Sequence, residues 1–550
     1  MKHGRKWLML LPVAVVYLIG MFIDVMEIDA AQYADMSLEM TQTGNYLQLY
    51  SRGEDYIDKP PMIFWTTTLS FYLFGPNNFT YKLPSILFTL LGLFSTYRLA
   101  KMFYGPWTGY FSVLILSSCY AWFQFNNDVR TDAILAGCTI FAVWQLAEYA
   151  ASKNTWSLLL AGIGISGAML AKGPIGAMVP VLALGTDLLL KRNWRTMFRW
   201  QWLLLIPIVL ICLSPMMYGL YQQYDASGGR PTYNGFITSG LRFYFWTQSF
   251  GRLTGESTWD NDTGPFYFVH TFLWAFLPWS LLFLIAMGKR LKKIIFNGLI
   301  IRRSREALTV GGTIFPFLAF SLSNYKLPHY IFVLFPLIAI ITGAFIRKLI
   351  KKHETDLKTL TAIQYVISVL ILALAALLLI IFPVKNILVI LITFTGAFLT
   401  VYYMIHRGTR FKKILLPSFF AIVTLNFVLN VHHYPNVLQY ESGNVAAHIA
   451  AQTKYELTGL KHNPFGMDFY NGKAVPKYST SQQMRESQKG STIWVYTDAD
   501  GANNLRNDSV RILKDTVLQH FHVSTLNARF LSPKTRESAT TKMHLLLVRP

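Results

Sequence analysis

The stretch IQYVISVLILALAALLLIIF, residues 363–382, runs for a full membrane thickness without a charged residue. A second apolar run, ILVILITFTGAFLTVYYMI at 387–405, follows after a short PVKN link. An apolar helix of about 20 residues spans the hydrocarbon core of a bilayer, which is about 30 Å thick. Runs of this kind recur along most of the chain, so the sequence predicts a polytopic, all-α membrane protein.

The composition excludes an ordinary soluble protein. Of the 550 residues, 53% are hydrophobic and only 14% are charged, whereas soluble globular domains carry about 25% charge. Cys119, Cys138 and Cys212 all lie in apolar segments without a CxxC or metal-type spacing. We therefore interpret them as buried helix residues and predict no disulfide framework.

The apolar runs predict thirteen membrane spans. The first is interpreted as an anchor, because Asp24, Glu27 and Asp29 follow it where a signal peptide would have a small-residue cleavage site. The spans lie near residues 7–23, 83–103, 109–125, 133–150, 157–171, 174–190, 202–221, 266–288, 308–323, 329–349, 363–383, 386–406 and 414–431.

The basic residues predict the orientation. Short loops rich in Lys and Arg face the cytoplasm, and alternate crossings place the strongly basic loops on one side together with the N-terminus. The prediction is N-in and C-out, in a multi-pass cell membrane protein (the inner membrane in a Gram-negative cell). The net charge of +22 then reflects the orientation in the membrane and an affinity for anionic lipid. No nucleic-acid partner is predicted. The basic loops are 191–199, 289–305, 347–352 and 407–413.

The chain divides into two predicted domains. Residues 1–431 form the transmembrane domain, with long extracytoplasmic loops at 24–82 and 222–265. Residues 432–550 are more polar and predict a small extracytoplasmic α/β domain, from a helix-like GNVAAHIAAQ, a strand-like TIWVYTDAD and a terminal MHLLLVRP. Long loops in compact proteins are usually functional, so the two long loops are expected to carry the chemistry.

The first long loop offers a carboxylate, a surface helix and a lysine of fixed geometry. Asp29 lies where the first span ends; it could be a general base or charge that positions an acceptor, or only a helix cap. Tyr33, Met36 and Met40 share one face of a predicted helix over 30–43, with Asp35 and Glu39 on the other. Lys59 precedes two prolines, which hold it extended, so it could bind a lipid-linked phosphate or snorkel at the interface.

Other candidates lie in later outer turns. In NNDVRTDAIL, Arg130 and Asp132 precede the fourth span, and Asp132 could simply cap that helix. Lys172 is a lone charge in the tight AKGPIG turn, and Lys326 lies in SNYKLPHY, where His329 suits a structural hydrogen bond better than a ligand role. Arg252, after an aromatic run, could hold a phosphate-sugar headgroup or belong to an aromatic belt.

These residues fall on one face under a topology assigned from the basic loops alone. Two carboxylates and several cations on that face predict a site for a phosphate-bearing lipid and a nucleophile. We expect one cavity bounded by both long loops and the C-terminal domain, lined by Asp29, Lys59 and Asp132. The rival interpretation is a transporter or lipid flippase, which predicts inverted repeats and ionisable residues at mid-membrane; few such residues and no repeat are seen.

The motifs also resemble a known family. I-D-x-x-x-Y-A at 28–34, D-K-P-P at 58–61 and R-T-D at 130–132 resemble the polyprenyl-phosphate-mannose–protein mannosyltransferase superfamily, and more closely its bacterial branch of lipid A aminoarabinose transferases. The resemblance implies a GT-C membrane glycosyltransferase that uses a polyprenyl-phosphate-linked sugar, inverts the anomeric carbon, and has a glycolipid such as lipid A, or a protein, as its acceptor.

The resemblance also implies residue roles. Asp29 matches the family's catalytic carboxylate, Asp132 the carboxylate of the third outer turn, and Lys59 the lysine that contacts the carrier phosphate. Tyr33, Arg130, Lys172, Arg252 and Lys326 are the other predicted substrate-binding residues. The acid before Lys-Pro-Pro is associated with a metal in that branch, so a divalent metal at Asp58 stays open, and no other cofactor is assigned.

Overall fold

Helices form most of the protein in a computed structural model. The structure describes residues 6–26, 28–232, 235–249, 251, 261, 263–301, 306–352, 356–406 and 409–550. The longer helices are Leu11–Gly20, Asp29–Thr43, Met62–Phe74, Asn78–Tyr104, Pro106–Ser117, Tyr120–Asn127, Asp132–Ser152, Thr155–Lys172, Ile175–Leu190, Leu205–Leu220, Tyr267–Ala275, Ser280–Phe296, Leu308–Ser321, Phe335–Lys352, Asp356–Ile381, Ile387–Ile405 and Arg410–Val428.

The described helices confirm a multi-pass membrane protein. Eight of them are long and apolar enough to cross a bilayer, and four shorter helices are also apolar. Helical segments lie at each of the thirteen predicted spans, but two of these spans are broken, at residues 118–119 and 276–279. The number of crossings and the orientation therefore remain predictions.

The C-terminal α/β region, residues 442–549, contains a five-stranded mixed sheet. The segments predicted as a helix and two strands are Ser442–Ala451, Ile493–Asp498 and Thr541–Arg549. The first three strands of the sheet pair parallel, whereas Thr541–Arg549 pairs antiparallel with both of its neighbours. The strand order across the sheet is Lys477–Tyr478, Glu456–Leu460, Ile493–Asp498, Thr541–Arg549 and Arg511–His520. The other helices of this region with six or more residues are Phe465–Asn471, Ser481–Ser487 and Ala499–Asn507.

The helix predicted over 30–43 is present as Asp29–Thr43, which we call the outer helix, and it ends at Gly44 in the left-handed conformation. Tyr33, Met36 and Met40 are buried as expected. Asp35 was predicted to face away from the buried side, and this is wrong, because it is only 3% exposed. The cause is the helix Phe465–Asn471 of the C-terminal α/β region, which packs on the outer helix.

Candidate functional site

A cavity of about 280 Å³ lies at the ends of several helices. It is lined by residues from the outer helix, the 58–60 turn, the 130–132 turn, the Lys172 turn, Gln248 and Ser249, and the segment 319–333. Asp29, Lys59 and Asp132 all line this one cavity, together with Tyr33, Asp58, Arg130 and Lys172. Residues widely separated in sequence therefore share one chamber.

Asp29 is the most exposed carboxylate among the cavity's ion pairs. Its Oδ2 accepts a hydrogen bond from Arg130 Nη1 at 2.7 Å, and its side chain is 41% exposed. Asp29 lies in the first turn of the outer helix, where the helix dipole favours a negative charge. It is not the N-cap, because that position is Ile28 and makes no side-chain cap bond. Asp29 is thus available to a ligand while being oriented by a cation.

Arg130 is shared between two carboxylates. Its Nε donates to Asp128 Oδ2 at 2.9 Å while its Nη1 donates to Asp29. Burial lowers the pKa of Arg130, but Asp128 and Asp29 outweigh burial and raise it overall. Burial raises the pKa of Asp128 even though Arg130 opposes that change. The guanidinium therefore keeps its charge and fixes the direction in which Asp29 points.

A second ion pair joins two helix ends on the cavity wall. Lys172, the last residue of its helix, donates from Nζ to Asp132 Oδ1 at 2.7 Å, and the same ammonium lies 4.8 Å from the centroid of the Tyr330 ring. Asp132 begins the helix Asp132–Ser152, but the N-cap position belongs to Thr131, which makes no side-chain cap bond. The helix-cap interpretation of Asp132 is therefore wrong, and its carboxylate instead holds an ammonium group beside the cavity.

The Asp58-Lys59-Pro60 turn provides the third pair. The Lys59 ammonium donates to the carboxylate of Asp58, and Gln248 donates from its side-chain amide to the backbone carbonyl of Asp58. Lys59 is 21% exposed at its side chain and lines the cavity. Gln248 thus connects the second long loop to this turn.

Tyr33 contributes a buried phenol to the cavity wall. It is 2% exposed, and its ring meets the Phe64 ring edge-on at 5.7 Å between centroids. Burial raises the pKa of Tyr33 well above its ordinary value, and the Asp29 and Asp58 carboxylates add to this effect. The hydroxyl therefore stays protonated and can act as a hydrogen-bond donor to a ligand.

Two predicted binding residues are not placed in the cavity. Lys326 is buried outside the described lining, and its ammonium donates to the Thr263 backbone carbonyl at 2.8 Å. Asn261 accepts from the Lys326 backbone N–H and donates to its carbonyl, so in the structure Lys326 holds a turn. Arg252 lies outside the described residues. The C-terminal α/β region was expected to bound the cavity, but it supplies none of the described lining residues.

Sequence reasoning missed some lining residues. His329, for which a structural role was favoured, lines the cavity beside Tyr325, and so do Gln248 and Ser249. The signal for Gln248 was a lone amide within the aromatic run FYFWTQSF. The signal for His329 was its position in an outer turn shared with Lys326.

The carboxylates of the described site do not fit a metal ion. No group of three or more His, Cys, Asp or Glu side chains arranged for a metal occurs among the described residues. The one candidate ligand, Asp58, is engaged by the Lys59 ammonium.

Comparison of structures defines the fold class. The protein superposes on ArnT from Cupriavidus metallidurans bound to undecaprenyl phosphate with a TM-score of 0.72 and 17% identity, over 99% of this chain and 98% of ArnT. It also superposes on the oligosaccharyltransferase of Archaeoglobus fulgidus with a TM-score of 0.50 and 10% identity, over 90% and 70% of the two chains. The likeness to ArnT confirms the predicted GT-C fold.

The amino-acid sequence is similar to a family of glycosyltransferases and to individual arabinosyl transferases. Residues 58–218 match the family described as dolichyl-phosphate-mannose-protein mannosyltransferase. The chain is 25% identical over 337 residues to the undecaprenyl phosphate-alpha-4-amino-4-deoxy-L-arabinose arabinosyl transferase of Edwardsiella ictaluri, which is 60% of this chain and 57% of that protein. The match spans a little over half of that relative. The predicted resemblance to the lipid A aminoarabinose transferase branch is confirmed.

Proposed function

We propose that this protein transfers a sugar from a polyprenyl-phosphate carrier to an acceptor of the cell envelope, on the extracytoplasmic face of the membrane. One observation carries the proposal. A single cavity brings together the accessible carboxylate of Asp29 and three cations, Lys59, Arg130 and Lys172. An anionic lipid phosphate needs cations, and a hydroxyl nucleophile needs a base.

In the proposed reaction an acceptor oxygen attacks the anomeric carbon of the carrier-linked sugar. The bond from this carbon to the phosphate oxygen breaks, and the polyprenyl phosphate leaves with the bonding electron pair. Attack from the side opposite the leaving phosphate inverts the anomeric centre. If the acceptor is a hydroxyl, its proton passes to Asp29; an acceptor phosphate is already anionic and needs only to be positioned.

The cations act on the departing phosphate. Charge grows on its oxygen as the bond breaks, and fixed cations stabilise that charge more than they stabilise the ground state. Lys59 shortly precedes the helix Met62–Phe74, whose exposed apolar side chains suit the polyprenyl chain. Asp132 positions the Lys172 ammonium, and Arg130 positions Asp29.

The same proposal includes the number of spans, the orientation, the two domains and the membrane. The chain has thirteen spans with the N-terminus in the cytoplasm, and a transmembrane domain 1–431 precedes an extracytoplasmic domain 432–550. The membrane is the inner one in a Gram-negative cell. The charged cavity lies at helix ends rather than at mid-membrane, which favours a transferase over a transporter or flippase.

Mass spectrometry of envelope lipids and proteins, in cells with and without the gene, tests the function. We expect one glycosylated species to disappear, and mild acid then separates the acceptors because a glycosyl phosphate is cleaved and a glycoside is not. Unchanged envelope glycans, together with no consumption of polyprenyl-phosphate sugars by the purified protein, would contradict the proposal. Alkaline phosphatase fused after Pro550 tests the topology and should be active.

A further inference from the structure

The short segment between the first span and the outer helix is held from both sides. We call its residues 24–26 the connector. The helix Leu11–Gly20 lies before it, and the outer helix begins soon after it, at Asp29. Because so few residues intervene, the position of the connector backbone limits where the Asp29 side chain can point.

On the side of the membrane helices, a buried lysine holds the end of the first span. Lys82 is fully buried, and its ammonium donates to the backbone carbonyls of Gly20 at 3.0 Å and Ile23 at 2.8 Å. Carbonyls at the end of a helix need partners from outside the helix, and here the ammonium supplies one to Gly20, the last helical residue, and one to Ile23, which follows it. This contact fixes the residues that lead into the connector.

On the other side, the C-terminal α/β region binds the connector backbone directly. The Val25 N–H donates to the Tyr470 hydroxyl at 2.6 Å, and Asn444 donates from its amide to the Val25 carbonyl at 3.2 Å. Both backbone groups of Val25 are therefore satisfied by side chains more than 400 positions further along the chain. The Tyr470 hydroxyl in turn donates to Asn78 Oδ1 at 2.7 Å.

The neighbouring Asp24 is held in the same way. Its Oδ1 accepts from Asn78 at 2.8 Å, and its Oδ2 lies 3.0 Å from His448 Nε2. A few residues away, the Phe469 ring packs on the rings of Phe71 and Tyr81, at 5.9 Å between centroids in each case. The C-terminal α/β region thus contacts the helices Met62–Phe74 and Asn78–Tyr104 as well as the connector.

We propose that Tyr470 and Asn444 are positioning residues that hold Val25, so that Asp29 keeps its carboxylate against Arg130 in the cavity. Neither residue is among those described as lining the cavity. The C-terminal α/β region is then a working part of the catalytic site, although it does not touch the substrate. The proposal rests on the proposed transferase function, but only one of its two tests measures transfer.

The first measurement does not depend on activity. Hydrogen exchange at the Val25 amide reports its bond to Tyr470. In Tyr470→Phe, this amide should exchange at least about tenfold faster than in the native protein, which corresponds to loss of one buried hydrogen bond. The matched control is Tyr478→Phe, which removes a hydroxyl bonded to Ser487 and Gln488 within the same region and should leave Val25 unchanged.

The second measurement is the transfer rate. Tyr470→Phe and Asn444→Ala should each lower kcat by about tenfold with little change in KM for the lipid donor, because the connector does not touch the cavity. Tyr478→Phe should keep the native kcat. In an Asp29→Glu background, where the carboxylate is already displaced, Tyr470→Phe should have less than about a twofold effect, because the two changes act on one group.

The two measurements fail in different ways. Unchanged exchange at Val25 in Tyr470→Phe would overturn the proposal, whether or not the protein is a transferase. Faster exchange with native kcat, or a full tenfold loss in the Asp29→Glu background, would also overturn it, because Tyr470 would then have only a structural role or act elsewhere. Absence of any transfer by the native protein would count against the proposed function and leave the exchange result to test the positioning contact.

Discussion

Two clusters of charged side chains lie at opposite ends of the helices Ile175–Leu190 and Leu308–Ser321, and they differ in how completely their hydrogen bonds are satisfied. At the cavity, Asp29 meets a single described cation and is 41% exposed at its side chain. At the other end, Glu306 has a fully buried carboxylate that accepts from Arg290, Tyr104 and Thr309. The helix Ile175–Leu190 runs from the cavity wall toward this second cluster, a length of about 24 Å at 1.5 Å per residue.

The difference separates a structural cluster from a reactive one. A carboxylate whose lone pairs are all occupied has no capacity left for a substrate, and removing it leaves a buried cation unpaired. A carboxylate held by one cation and open to a cavity can accept a proton or position a ligand. Ion pairing alone therefore does not identify the site, whereas incomplete pairing beside a cavity does.

The largest effect is expected from Asp29→Asn. The amide keeps the shape of the side chain and can still accept from Arg130, but it cannot take a proton. Loss of a general base costs about 10²–10⁴-fold in rate, so initial rates with a hydroxyl acceptor should fall by that factor while the thermal midpoint in detergent stays native. Normal turnover by the purified variant would remove Asp29 from the catalytic role.

The corresponding change at the other cluster should have the opposite outcome. Glu306→Gln leaves Arg290 without its carboxylate partner, which costs about 3–5 kcal/mol of stability for a buried pair. We expect a lower thermal midpoint with an unchanged kcat per folded molecule. A loss of kcat at native stability would show that the second cluster takes part in catalysis and would dissolve the distinction.

The site residues that lie in local sequence motifs could be predicted from the sequence. Asp29 follows a span, Lys59 precedes a proline pair, and Asp132 begins a helix. Each could therefore be located from its neighbours in the sequence alone. The turn and the two helix ends that carry them meet at one cavity. Membrane spans were predictable for the same reason, because a bilayer demands long apolar runs.

What the sequence could not show are the contacts made across long separations. The Arg130–Asp29 pair joins residues 101 positions apart. The sequence around Asp29 therefore could not show whether this carboxylate pairs with an arginine or caps a helix. The burial of Asp35 depends on the helix Phe465–Asn471, and no local sequence pattern predicts that this helix packs on the outer helix. Lys326 looked like a ligand residue, but the Thr263 carbonyl accepts from its ammonium.

A smaller effect is expected at Lys59, whose partner Asp58 leaves the ammonium facing the cavity. Lys59→Ala should raise the apparent KM for the lipid-linked donor by about 10–100-fold, the value of one charge-assisted hydrogen bond, and Lys59→Arg should keep part of the affinity. Steady-state kinetics in lipid nanodiscs measure this, with the exposed Lys477→Ala as the control. An unchanged KM in Lys59→Ala would return the residue to the role of an interfacial anchor.

The last prediction concerns a third cluster, in which Arg52 lies between Asp35 and Asp468. Arg52 donates to Asp468 at 2.6 Å, and its Nε lies 4.0 Å from Asp35 Oδ2. Burial, with the Asp468 and Glu39 carboxylates adding to it and Arg52 opposing it, raises the pKa of Asp35 from 3.8 to about 8. The folded state therefore holds this proton more tightly than the unfolded state does.

Because the folded pKa is the higher one, the stability contributed by the protonated Asp35 is complete below about pH 4 and is lost as the pH rises through about 8. Asp35→Asn imitates the neutral carboxyl at every pH. The free energy of unfolding of the variant should thus exceed that of the native protein by a margin that grows between these pH values. The exposed Asp500→Asn should show no such growth, and a margin that stays constant with pH would mean that Asp35 is already ionised beside Arg52.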